Sequence, residues 1–86
     1  MKTAYLLLAR YDGLPIISVE EVCRDFFRHL TPVKFLRKVA DGSIHLPLIR
    51  MEASQKSAKG VYVDDLAAYL DAQRAEALRE YDQLHG

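Results

Sequence analysis

Three cations, Lys34, Arg37 and Lys38, stand at i, i+3 and i+4 within residues 31–42, TPVKFLRKVADG. At that spacing they share one face of a helix. A second basic group follows in the loop Ala53-Ser-Gln-Lys-Ser-Ala-Lys59, where Lys56 and Lys59 alternate with Ser54, Gln55 and Ser57. The chemistry such residues offer is the binding of anions. Lysines can pair with phosphates, and the loop hydroxyl and amide groups can hydrogen-bond to phosphate or sugar. Arg37 is the candidate for a bidentate contact to a guanine.

The elements that must position these residues can be read from local signals. Thr31 is a good N-cap and Pro32 occupies the first helical position, where its missing N–H costs nothing. Leu30 and Phe35 fall at N′ and N4, the positions of a hydrophobic staple, and Gly42 supplies the stop. Phe35, Leu36, Val39 and Ala40 form an apolar stripe opposite the cations. A helix about 10 Å across with one cationic ridge fits a major groove about 12 Å wide. The competing reading is an ordinary solvated amphipathic helix.

Beyond Gly42 the period changes. His45-Leu-Pro-Leu-Ile-Arg-Met-Glu52 and Gly60-Val-Tyr-Val63 carry short strand signals, and Pro47 suits a strand start or an edge. A helix followed by such a hairpin is the order of a winged helix, with Arg50 on the hairpin; a plain surface loop is the alternative. Upstream, Ser18-Val-Glu-Glu21 is a capping box opening a helix to about residue 27 or 28. Val19, Val22, Cys23 and Phe26 form its buried face, while Arg24 and Arg28 lie one turn apart outside. Two short helices, the second basic, make a helix-turn-helix. Residues 3–12 fit either a helix or a buried strand. The helix is favoured, with Thr3 as cap and Gly13 as stop. Pro15-Ile-Ile17 is extended.

From Asp64, read as the cap, one long helix runs toward Gly86. Its stripe of Leu66, Tyr69, Leu70, Gln73, Ala77, Leu78, Tyr81 and Leu84 is longer than a small core can cover. Leu70, Ala77, Leu78, Tyr81 and Leu84 are therefore expected to pair with another copy of the chain; a solvated tail is the alternative.

Composition bounds the rest. Eighty-six residues make one domain, 1–86, with a small core. It divides into an N-terminal extension (1–17), the helix-turn-helix with its wing (18–63) and the closing helix (64–86). Formal net charge is zero, yet residues 24–59 hold eight basic against three acidic side chains, and residues 60–86 hold two against six. Local field rather than net charge steers a polyanion. The single cysteine, Cys23, allows no internal disulfide and fits a reducing cytoplasm. The run Ala4–Ala9 is too short to span a bilayer, so no membrane association is expected. His29, His45 and His85 are scattered away from metal-ligand spacing, and the acid pairs Glu20–Glu21 and Asp64–Asp65 are explained by capping. No phosphate-cradling loop or nucleophile elbow occurs. No catalytic residue, metal or cofactor is expected, and the chain reads as a non-enzyme.

Several segments together resemble the pyocin-activator (PrtN-like) family: Ala4-Tyr-Leu-Leu-Leu-Ala-Arg-Tyr11, Val22-Cys-Arg-Asp-Phe-Phe27, His29-Leu-Thr-Pro32, Leu46-Pro-Leu-Ile-Arg50 and Ser54-Gln-Lys-Ser-Ala-Lys-Gly-Val61. More distantly, residues 17–70 resemble the excisionase and MerR-type winged helix. The resemblance implies a mostly α, α+β winged helix-turn-helix in a bacterial, nucleoid-associated transcriptional activator of bacteriocin or prophage genes. It further implies double-stranded DNA and RNA polymerase as partners. The expected DNA contacts are Arg24, Arg28, Thr31, Lys34, Arg37, Lys38, Arg50, Ser54, Gln55, Lys56, Ser57 and Lys59. Two alternatives stay open: an excisionase-like protein that bends DNA, or a phage-encoded protein-interaction module.

Overall fold

A computed structural model of the protein describes residues 2–53 and 58–86. The fold is α+β and mostly helical: among the described residues there are four helices and one three-stranded antiparallel sheet. In chain order these are α1 (Lys2–Arg10), β1 (Ile16–Ser18), α2 (Val19–Phe26), α3 (Pro32–Ala40), β2 (Ile49–Arg50), β3 (Lys59–Tyr62) and α4 (Val63–His85). For residues 3–12, the two readings resolve to a helix through Arg10, with Tyr11 and Asp12 in the turn that follows.

The predicted caps of the two middle helices form. The Ser18 side chain accepts from the Glu21 N–H at 3.1 Å, and its own hydroxyl donates to Glu21 Oε1 at 3.0 Å. Thr31 accepts from the Lys34 N–H at 3.2 Å. After α3, Gly42 takes a φ of +86°, which costs a glycine little, and its N–H reaches the Val39 carbonyl. Two expected caps are different. Thr3 lies inside α1, and its hydroxyl donates instead to Asp71 on α4 at 2.7 Å. Tyr62, not Asp64, is the N-cap of α4 and makes no side-chain cap bond. The chain passes from β3 into α4 with no intervening residue, so Val63 is the first helical residue rather than the last of a strand.

The sheet has three strands where the sequence signals gave two. β1 pairs with β3 in the register Ile16↔Tyr62, Ile17↔Val61 and Ser18↔Gly60, and β2 pairs with the other edge of β3, Ile49↔Gly60 and Arg50↔Lys59. Ile17 and Val61 face each other in the core, both almost fully buried. Gly60 permits this close approach: a Cβ there would stand 2.5 Å from Ile16 Cγ2 and 3.0 Å from the Ile17 carbonyl oxygen.

One hydrophobic cluster gathers side chains from every helix and from β1 and β3. Phe35 of α3 is fully buried, with its ring 5.0 Å from that of Phe27, which in turn lies 5.7 Å from Tyr69 of α4. Leu7 of α1 and Tyr11 just after it belong to the same cluster. Ile44 and Leu46 are buried from a stretch without regular structure. Beyond Leu70, α4 leaves the core: residues 71–85 are all exposed.

Candidate nucleic-acid interface

α3 positions the cations because its apolar residues hold it from one side. Phe35 is buried, Leu36 and Val39 are half-buried, and Ala40 is exposed at the edge of the stripe. Lys34, Arg37 and Lys38 are left on the exposed arc, and among the described residues none of the three makes an ion pair. Thr31 is exposed at the helix start, its oxygen engaged in the cap. Asp41, at the other end, has its carboxyl held below the usual carboxylate range by its hydrogen bonds from Ser43, with a smaller contribution from nearby Lys38.

Two hollows flank this helix. One, of about 700 Å³, is lined by Leu36, Val39 and Ala40 of α3, by Leu46, Pro47 and Leu48, and by the sheet residues Arg50 and Lys59. Arg50 and Lys59 are directly opposite in the β2–β3 register. Side chains so placed share a sheet face, and two like charges there repel. An anion between them would relieve that repulsion. The other hollow lies at the start of α3, lined by Glu20, Cys23, Arg24, Arg28, Leu30 and Pro32.

The two arginines of this second hollow differ from the cations of α3. Arg24 is exposed but committed: its Nε donates to Asp25 at 3.0 Å and its guanidinium also approaches Glu21. Arg28 donates from Nε to the Arg24 carbonyl at 3.2 Å, closing the end of α2. Asp25 is the hub of a link between α1 and α2, since Arg10 approaches it at 3.3 Å and the Tyr11 hydroxyl donates to it. The Arg24 hydrogen bond, then that of Tyr11, hold the Asp25 carboxyl down to about 2. Burial, and then the Asp25 contact, push the Tyr11 hydroxyl up. Burial likewise pushes the Cys23 thiol up, so it packs as a neutral group. Sequence reading missed Asp25 as a competitor for Arg24, although the two are adjacent. It also missed Val33, which is 65% exposed on the outer arc of α3, one turn before Arg37.

Of the twelve expected contact residues, eight are described. Thr31, Lys34, Arg37 and Lys38 come together on α3, Arg50 and Lys59 on the sheet beside it, and Arg24 and Arg28 at its start. Ser54, Gln55, Lys56 and Ser57 lie outside the described residues. The five residues expected to meet another copy divide. Leu70 is half-buried against the core. Ala77, Leu78, Tyr81 and Leu84 are exposed, Leu84 to 80%. Among the described residues, no three His, Cys, Asp or Glu side chains gather as a metal site, and no helix is long and apolar enough to cross a membrane.

The arrangement is that of a small mixed domain with an exposed cationic helix, free of ion pairs among the described residues, between two arginine-rimmed hollows. The family model described as pyocin activator protein PrtN matches residues 3–77, and the chain belongs to that family. Membership points to a regulatory role as an activator. No curated protein and no solved structure matches the chain closely enough to add a relative.

Proposed function

We propose that the protein is a sequence-specific double-stranded DNA-binding transcriptional activator of bacteriocin (pyocin-like) or prophage genes, acting in the bacterial cytoplasm at the nucleoid. In this reading α2 and α3 are a helix-turn-helix and the β2–β3 hairpin is its wing. α3 enters the major groove, Arg37 contacts a guanine, and Lys34, Lys38 and Thr31 hold the flanking phosphates. Arg50, Lys59 and the hairpin residues Ser54, Gln55, Lys56 and Ser57 meet the backbone on one side, and Arg28 meets it on the other. Arg24 contributes less, because Asp25 already holds it.

The observation that carries the reading is the α3 surface: three cations unpaired among the described residues, on a helix whose opposite side is sunk in the core. Charge placement supports it. α3 packs on α2, whereas the acidic α4 packs on α1 and β3. The direct test is binding to random duplex DNA at low salt, followed by selection from a random library. Binding that strengthens on a selected sequence supports the reading, and no binding at low salt removes it.

The reading includes self-association and a contact with RNA polymerase. Ala77, Leu78, Tyr81 and Leu84 continue the stripe that Leu66 and Leu70 begin in the core, but they are exposed. A second copy of α4 is the proposed partner, and Leu78→Asp should shift sedimentation toward the monomer. A mass unchanged by protein concentration, and equal to one chain, would remove that part.

A further inference from the structure

We infer that Val33 is a specificity-determining contact that packs against the 5-methyl group of a thymine beside the base read by Arg37. This deepens the proposed DNA reading and rests on it.

Val33 is the exception among the large apolar residues of α3. Phe35 is buried, and Leu36 and Val39 pack against the core. Val33 is 65% exposed and is not among the residues packed there. The fold gains nothing evident from it: β-branched residues are mildly disfavoured in helices, and this one has no burial to compensate. Its place is informative. With Thr31 as N-cap it is the second helical residue, in the part of a groove-entering helix that reaches base edges. Val33 and Arg37 are four residues apart, so they lie on one row, about 6 Å apart along the axis. That distance spans between one and two base pairs at about 3.4 Å each.

The surroundings select the ligand. Arg37, one turn on, and Lys34, the next residue in the chain, lie to one side of Val33, both exposed and without an ion pair among the described residues. An apolar protein partner would have to desolvate those charges, and anchors at such surfaces tend to be tryptophan, tyrosine or arginine. A small branched apolar group beside two cations instead matches a polyanion with one apolar feature on its groove floor. In duplex DNA that feature is the thymine methyl.

The test uses the whole protein and the duplex that it enriches from a random library. Each thymine is replaced in turn by deoxyuridine, which removes only the methyl, and affinity is read by fluorescence anisotropy. One or two replacements should weaken wild-type binding roughly three- to tenfold. They should lie within two base pairs of the guanine whose importance disappears in Arg37→Ala. In Val33→Ala the same replacements should change affinity by less than about twofold, while Val33→Ile and Lys38→Ala keep the penalty. Circular dichroism should show Val33→Ala folded as the wild type is, since the residue is on the surface. The inference is overturned if no thymine is sensitive, or if Val33→Ala retains the full penalty. Failure to enrich any duplex would overturn the DNA reading itself, a different outcome from enrichment without methyl sensitivity.

Discussion

The outer face of α2 with the turn that follows it, and the outer face of α3, carry the same signature, basic residues three or four positions apart in sequence, and they end in different electrical states. On α2, Arg24 is bound by Asp25 and Glu21, and Arg28, two residues past the helix, folds back on its end. On α3, Lys34, Arg37 and Lys38 make no ion pair among the described residues; Asp41 beyond the helix lies near Lys38. The difference comes from what else surrounds each face. Arg10 at the end of α1 and Tyr11 just after it help fix Asp25, and the fixed carboxylate then holds Arg24. A basic residue in a sequence is a candidate contact; availability depends on the carboxylates the fold brings beside it.

The sharpest way to break this comparison is to remove the central cation of each face. Arg37→Ala should cost ~1–3 kcal/mol of duplex affinity and relax preference at one base position. Arg24→Ala should change duplex affinity by less than about threefold, as an already paired surface group would. Titrations of both variants against the selected duplex check this. Equal losses would mean that Asp25 does not occupy Arg24 in solution.

Asp25→Asn attacks the cause of the difference. It removes charged acceptors from Arg10, Arg24 and Tyr11, and should lower stability by about 1–2 kcal/mol, after allowing for the exposure of the arginines. Denaturant unfolding measures that loss. The same substitution frees Arg24, so low-salt duplex affinity should rise about two- to threefold.

Acid should act on the same hub. Asp25 is held at about 2 against an ordinary 3.8. A lowered carboxyl contributes stability that is fully present above the unfolded value and is lost as pH falls through the folded one. Wild type should therefore lose this contribution between roughly pH 4 and pH 2, and Asp25→Asn should show a correspondingly shallower decline over that window. Unfolding free energies at stepped pH would reveal identical slopes if the link were absent.

How far these features were legible in the sequence varies with how local they are. Ser18, Thr31, Pro32 and Gly42 announce α2 and α3 because a cap or stop is decided within one turn. The stripe of α4 was legible for the same reason, although its start was misplaced. Asp64 is a better capping type than Tyr62, but β3 runs directly into the helix. What stayed hidden was set by distant neighbours. Ile16 and Ile17 are too few to show a strand period, and they become one by pairing with residues near 61. Ile44 and Leu46 are core residues on an irregular segment, so they belong to no periodic pattern. Phe27 is buried just past the end of α2. At the site, the cations of α3 were legible by spacing. The capture of Arg24 was not, because Asp25 is fixed through Tyr11, fourteen residues away.

The smallest expected effect concerns salt rather than raw affinity, and it measures the central claim most directly. The slope of log affinity against log salt concentration on the selected duplex counts the phosphates a protein neutralises. Lys34→Ala should reduce that slope by about one unit and Arg24→Ala should leave it within experimental error. A slope that falls equally in both variants, or duplex binding indifferent to salt in the wild type, would contradict the claim that the open face of α3 is where this protein holds DNA.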